Sequence, residues 1–476
     1  MSLVSTGFLL FLLAGVIVYY IIPKKMQWVW LLVLSCFYYL CSGYKTIIFI
    51  ITTTIVTYFA GVFLNKENER IKNIPAQADR SEKKKIKEDV KRRKKLIVAL
   101  LLVIIFGILA VIKYHTFAIE NINAVICVFT GKYDTIPTFK LLLPLGISFY
   151  TFQSAGYIID VYRDKYECCN NIFKFALFVS FFPQIMQGPI GRYDRLSPQF
   201  NEPHYFSLEN TEYGLQLMLW GFFKKIVIAD RIGVVADKVF LHPYDYNGIF
   251  VIVGVLAYCL QLYADFSGGM DVVSGAAELY GIRLDKNFRQ PFFSKSISEF
   301  WRRWHITLGT WMKDYVFYPF SLSKKMMKFS KLMKKHLGTF AGKTLPICLA
   351  DLLIFFLVGV WHGAAWKFIV YGMYNGIIIA ASSLLEPVYE KMFKVTHINK
   401  NAKWYRVFQI IRTFILVNIG WFFDDAANLK ESFDLIKNVF VNFSIKPLFD
   451  GSVIAMMEFS SMDMLAIAVG IAALFI

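Results

Sequence analysis

The chain has 476 residues, 57% hydrophobic and 17% aromatic, which is too apolar for a soluble domain of that length and marks a polytopic membrane protein. Its net charge of +18 is localised: residues 65–95 hold 13 Lys/Arg against 6 Asp/Glu, a net +7, and residues 281–345 hold 14 against 3, a net +11. That excess is a topology signal, since loops rich in Lys and Arg stay cytoplasmic. No nucleic-acid partner is expected, because both stretches are tethered between spans and neither carries a nucleic-acid module.

A helix needs roughly 20 residues to cross the hydrocarbon layer. Residues 8–22 form the first expected span, closed by Pro23-Lys24-Lys25. No basic region precedes it and no A-x-A-like site follows, so it is expected to be retained and not cleaved as a signal peptide. Further spans are expected at 26–40 and 46–64. Residues 65–95, with KKKIKEDVKRRKK at their centre, are expected as a solvated, helix-prone cytoplasmic loop touching anionic lipid. Counting back from it puts Lys24-Lys25 in the cytoplasm and Met1 outside.

Span 96–112 leads into an expected external loop reaching about residue 139. The apolar runs 140–159 and 172–190 are interrupted by Pro144 and Gly146 and by Pro183, Gly188 and Pro189. Such runs enter the membrane without crossing it when protein covers the loose backbone groups. Residues 214–228 and 250–263 are further candidate spans on either side of a polar stretch, 229–247. Residues 345–385 are almost unbroken in apolarity, yet as one helix they would be ~60 Å long, twice the hydrocarbon thickness. The run must fold back or break, and His362-Gly363 lies near its middle. A span at 408–423, a mixed loop at 424–462 with a helical portion at 431–441, and a short apolar run at 464–476 complete the chain. No internal repeat is visible, which weighs against a repeat-built transporter.

The segment NFRQPFFSKSISEFWRRWHITLGTWMKDYVFYP, residues 287–319, carries too many ions to cross a bilayer and too many aromatic rings to be a solvated loop. Ser296 and Glu299 have capping-box spacing, which predicts a helix start. Ile297, Trp301, Trp304, Leu308 and Trp311 then recur at steps of four, three, four and three, an apolar stripe along one helix. Arg302, Arg303 and Lys313 fall to the other side, so the helix is expected to lie flat at a membrane–water boundary.

His305 sits at the edge of that stripe, either as a headgroup contact or cap, or facing a cavity. His362 lies in a hydrocarbon-length run, where an ionisable side chain is costly. It is either a structural imidazole bonded to a carbonyl or a general base for a hydroxyl acceptor attacking an acyl carbonyl. Arg302 and Arg303 suit an anionic donor group or lipid headgroups. Asp265, in YADFSGGMD, either orients a histidine or binds substrate, or caps a helix restarting at a break. Trp304, Trp361 and Asn375 complete the candidate substrate-binding set.

Cys36, Cys41, Cys127, Cys259 and Cys348 read as small buried hydrophobes, and Cys168-Cys169 as S-acylation sites or inert thiols at a cytoplasmic turn. With no C-x-x-C and no H-E-x-x-H, a metal site has little support. P-loop, dinucleotide and nucleophile-elbow patterns are missing too.

PLGISFYTFQSAGYIIDVYR, FFPQIMQGPIGRY, LYADFSGGMD, the segment ending WRRWHITL…YVFYP, and GVWHGAAWKFIVYGMYNG run in order over 143–376. Together they resemble the membrane-bound O-acyltransferases, in the bacterial branch typified by the alginate O-acetylation protein. WFFDDAANL departs from the family's usual Phe-Arg-Ala-like ending by carrying Asp424-Asp425. The resemblance implies one all-α domain of about 10–12 membrane helices, plus re-entrant and interfacial helices, around a tunnel from cytoplasmic donor to external acceptor.

It also implies that His362 is catalytic and His305 the second essential residue. The reaction implied moves an acyl group, in the first instance acetyl, to hydroxyls of a cell-surface polysaccharide at the cytoplasmic membrane. The donor would be acetyl-CoA or an acyl carrier thioester, with no bound cofactor. An external SGNH-hydrolase-like partner, and a cytoplasmic carrier protein, are the implied protein partners. Two rivals stand beside this: D-alanyl transfer toward teichoic acid on the same fold, and a solute transporter or flippase using His305 and His362 as a proton relay.

Overall fold

A computed structural model describes residues 2–75, 79–133, 135–139 and 141–474. The middle of the expected basic loop (76–78), the first residue of the 140–159 run and the last two of the 464–476 run lie outside the described residues. Among the described residues there are helices and turns and no strand. Six helical stretches among the described residues are long and apolar enough to cross a membrane, and three shorter apolar helices accompany them, which makes this a multi-pass membrane protein. The chain divides into two compact units, Met1–Met218 with Val272–Asp285, and Leu219–Asp271 with Lys286–Ile476.

The first unit contains α1 (Thr6–Ile21), α2 (Gln27–Gly43), α3 (Ile47–Lys72), α4 (Arg80–Thr130), α5 (Ile147–Tyr162), α6 (Ile172–Ser180), α7 (Phe182–Gln187), α8 (Tyr193–Asn201) and most of α9 (Leu208–Phe222). The basic segment, expected to be helix-prone, is mostly helix. α3 runs on to Lys72, and α4 begins at Arg80, where the Asp79 carboxylate accepts the Ser81 N–H. The Lys, Arg and Glu residues here are strong helix formers, and no proline interrupts α4. The same helix takes up most of the expected external loop and ends only at Gly131, in the left-handed conformation of a C-terminal stop (φ 68°).

The broken run at 172–190 is present as α6 and α7, split at Phe181. Its freed groups are covered by protein: the Ser35 hydroxyl accepts the Phe182 N–H at 3.1 Å, and the Gln184 side chain donates to the Pro189 carbonyl at 3.4 Å. Cys168 and Cys169 are buried in this unit, whereas Cys36 and Cys41 lie on the outside of α2. In a membrane protein a small apolar side chain loses nothing by facing lipid, so those two need no core position.

The second unit holds a π-type turn at Phe223–Ala229, α10 (Asp230–Leu241) and most of α11 (Ile249–Glu278). The helix break read at YADFSGGMD is absent, since α11 passes through it unbroken. Its glycines serve a different purpose: a methyl group on Gly268 would meet the Gly221 carbonyl at 2.8 Å, so glycine there lets a neighbouring segment pass close by. Next come α12 (Ile297–Arg303), α13 (Ile306–Met312), α14 (Tyr318–Ser321) and α15 (Lys324–His362). They are followed by α16 (Trp366–Leu384), α17 (Glu386–Thr396), α18 (Lys403–Asp425), α19 (Leu429–Asn438), α20 (Ser452–Met457) and α21 (Ser461–Leu474). The long apolar run does break where expected: α15 ends at His362, and α16 packs back along it. Gly359 and Gly372 make that approach possible, because a methyl on either would strike the facing backbone.

Candidate active site

α12 starts at Ser296, whose hydroxyl accepts the Glu299 N–H at 3.1 Å while the Glu299 carboxylate accepts the Lys295 N–H at 2.9 Å. The single amphipathic helix expected from there does not form. α12 stops at Arg303, Trp304 is extended, His305 adopts a left-handed conformation (φ 47°, ψ 51°), and α13 begins at Ile306. The stripe is still buried on both sides of the joint, with Ile297, Trp304, Leu308 and Trp311 each at most 4% exposed. It packs into protein and not onto lipid: the Trp304 ring lies 5.0 Å from Phe288 and 5.4 Å from Trp421.

Left-handed backbone at a non-glycine residue costs of order 1–3 kcal/mol and needs support from its surroundings. Asn287 supplies it. Its carbonyl accepts the Ile306 N–H at 3.0 Å, and its side-chain oxygen accepts both the backbone N–H and the hydroxyl of Thr307 at 2.9 Å. Its amide nitrogen lies 3.2 Å from His305 Nδ1. His305 is buried, and its Nε2 has no hydrogen-bond partner among the described residues. Burial, and then the neighbouring His362, push the His305 pKa down to about 3, so the ring is neutral near pH 7.

His362 is the last residue of α15. Both imidazoles contact one indole: the Trp361 ring lies 5.3 Å from His305 and 5.2 Å from His362. Tyr371 covers His362 at 5.2 Å between ring centres. Asp424 Oδ1 lies 3.5 Å from His362 Nδ1, and Asp424 Oδ2 accepts the Tyr258 hydroxyl at 2.7 Å. The Lys367 ammonium donates to the backbone carbonyls of Asp424 at 2.8 Å and Ala426 at 2.6 Å, pinning the end of α18 beside the histidine.

A cavity of about 910 Å³ reaches His305 and is bordered also by Trp301, Arg302, Thr310, Lys313 and Asp351. A smaller recess of about 410 Å³, lined by Asp237, His242, Asp245, Asp425 and Glu431, comes within one residue of Asp424.

Of the other candidates, Arg302 borders the large cavity and donates to the Ser298 hydroxyl at 2.8 Å. Arg303 is held by Glu299 at 2.7 Å and by the Gln290 carbonyl. Asp265 is paired with Lys225 at 2.5 Å. Asn375 accepts the Trp301 indole N–H at 3.0 Å and donates to the Tyr371 carbonyl at 2.9 Å, tying α12 to α16. Trp304 is a core residue and Trp361 a ring in contact with both histidines. Among the described residues no cluster of three or more His, Cys, Asp or Glu side chains is placed to hold a metal ion.

These features define a class: a polytopic helical membrane protein with a buried histidine beside a cavity and a second, half-buried histidine packed on the same indole. The sequence profile of the membrane-bound O-acyltransferase family matches residues 169–419, and the chain belongs to that family. It is 36% identical over 333 residues to a probable alginate O-acetylase of Azotobacter vinelandii, covering 70% of this chain and 60% of that one. A peptidoglycan O-acetyltransferase of Helicobacter pylori is 31% identical over 358 residues, covering 70% and 62%. A teichoic acid D-alanyltransferase of Bacillus subtilis is 29% identical over 295 residues, covering 60% and 69%. The chain thus spans about 60% of the length of the first of these curated relatives.

Proposed function

We propose that this protein is an O-acyltransferase of the cytoplasmic membrane, its N-terminus outside, passing an acetyl group from a cytoplasmic thioester to hydroxyls of a cell-surface polysaccharide. One observation carries the proposal: two imidazoles meet on Trp361, one bordering a cavity large enough for a thioester arm, the other beside a carboxylate. Asp424 favours the tautomer of His362 protonated at Nδ1, which leaves Nε2 as the base. As the acceptor oxygen attacks the thioester carbonyl, Nε2 takes its proton and a C–O bond forms. The tetrahedral intermediate then expels the thiolate, the C–S bond breaks, and the proton passes from His362 to sulfur.

The alginate and peptidoglycan O-acetylating relatives support acetyl as the group and polysaccharide as the acceptor. The donor is acetyl-CoA or a carrier-protein thioester, and an external SGNH-hydrolase-like protein is the partner at the cell surface. The teichoic acid relative keeps D-alanyl transfer as the second reading.

Mass spectrometry of the surface glycan, with and without the gene, tests both. Loss of acetyl adducts supports the first reading and loss of alanyl adducts the second. A His362→Ala protein that inserts normally and leaves the adducts unchanged would remove His362 as the base in either reading, and adducts unchanged on loss of the gene would contradict both.

A further inference from the structure

We propose that Asn287 fixes His305 as a neutral Nε2–H donor aimed at the acyl oxygen, so that the two histidines work in opposite tautomers. The inference rests on the acyl-transfer reading above and assigns a role within it.

The tautomer follows from which groups can only donate. A backbone N–H has no acceptor capacity, so the Thr307 N–H at 2.9 Å identifies the facing Asn287 atom as its carbonyl oxygen. The Thr307 hydroxyl on the same oxygen agrees. The amide nitrogen therefore faces His305 Nδ1 at 3.2 Å and donates to it. A neutral imidazole that accepts at Nδ1 carries its proton at Nε2. Burial keeps the ring neutral and so removes the imidazolium, in which both nitrogens would donate.

The remaining donor belongs to a ring on the cavity wall. Nε2 is buried without a partner among the described residues, and His305 borders the large cavity whereas Asn287 does not. A desolvated N–H with nothing to satisfy it is costly in a resting protein. The same group stabilises an oxygen that gains negative charge, as the carbonyl oxygen of a thioester does on attack. His362 receives the opposite instruction, with the Asp424 carboxylate near its Nδ1 leaving Nε2 to accept. His305 would touch the reacting atoms, and Asn287 is a positioning residue acting through it.

The tests use the full-length protein in detergent or liposomes. Histidine ¹⁵N NMR, with the His305 signal assigned by its loss in His305→Gln, is expected to show protonated Nε2 and bare Nδ1. Protonation at Nδ1 would overturn the proposal whatever the activity. In acyl transfer, His305→Gln keeps an N–H near the Nε2 position and should retain at least ~10-fold more kcat than His305→Ala, itself expected ~10²–10³-fold below wild type. Equal rates for the Gln and Ala variants would overturn the donor role. Asn287→Ala should give mixed tautomers and a ~10–100-fold lower kcat with unchanged KM for the thioester. An unchanged tautomer and kcat would remove Asn287 from the account. If wild type itself forms no ester from the thioester, the acyl-transfer reading fails, an outcome separate from these.

Discussion

Replacing Asp424 by Asn tests the site with little disturbance to its shape. The side chain keeps its size, and its amide oxygen can still accept the Tyr258 hydroxyl that Asp424 Oδ2 now accepts at 2.7 Å. What disappears is a negative charge 3.5 Å from His362 Nδ1. In the proposed mechanism His362 becomes an imidazolium on taking the acceptor proton, and that carboxylate then stabilises it. At an effective dielectric of about 20, Coulomb's law at that distance gives a ceiling of about 5 kcal/mol. The separation is long for a hydrogen bond, the His362 side chain is 20% exposed, and the Asn dipole retains part of the attraction, so about half is expected to show in the barrier. That is roughly a 100-fold fall in kcat at unchanged KM, since an interaction gained only on the way to the transition state does not affect substrate binding. The assay is acyl transfer from a thioester by the purified protein, with melting temperature as the folding control. A variant within threefold of wild-type kcat would refute the argument that this carboxylate supports the base.

Three further outcomes follow from the geometry. His305 is depressed in the folded protein to about 3 from an ordinary value near 6.5, so the stability it contributes is complete above about pH 6.5 and is lost as pH falls toward 3. Acidifying from about pH 6.5 to 5 should therefore destabilise wild type by about 2 kcal/mol more than His305→Gln, read as unfolding in detergent; equal losses would count against it. A methyl on Gly372 would meet the backbone N and Cα of Gly359 at 2.9 Å, forcing α16 away from α15 next to the Tyr371 that covers His362. Gly372→Ala should cost about 1–3 kcal/mol in stability and about 10–100-fold in kcat, measured by thermal unfolding and acyl transfer. Ser296→Ala removes the acceptor for the Glu299 N–H and should cost about 1 kcal/mol by the same unfolding measurement.

The parts of this architecture that depend on local chemistry were legible in the sequence. Ser296 and Glu299 announced the start of α12, and the length of the 345–385 run demanded the turn after His362. The break at His305 was not legible, because α13 resumes with the apolar spacing still in phase and no glycine or proline marks the joint. The helical leaning of the basic segment was legible in its Lys, Arg and Glu, but the reach of α4 through most of the expected external loop was not, because polar residues there suggest a loop although no glycine or proline stands between 113 and 130. At Gly268 the error ran the other way: a residue read as a breaker serves close packing inside an unbroken helix. Asp424 stood out only as a departure from the family's usual ending, and only the fold brings it to a histidine on another helix. Asn287 gave no signal at all, since an asparagine ahead of an aromatic run says nothing about which ring it will hold.

The most direct test of the central claim is acyl transfer by the purified protein in liposomes, with labelled acetyl thioester as donor and a soluble polyhydroxylated acceptor, comparing wild type with His362→Ala. The account predicts labelled ester with wild type and none above background with the variant, both proteins melting alike. Equal ester formation by the two would contradict it.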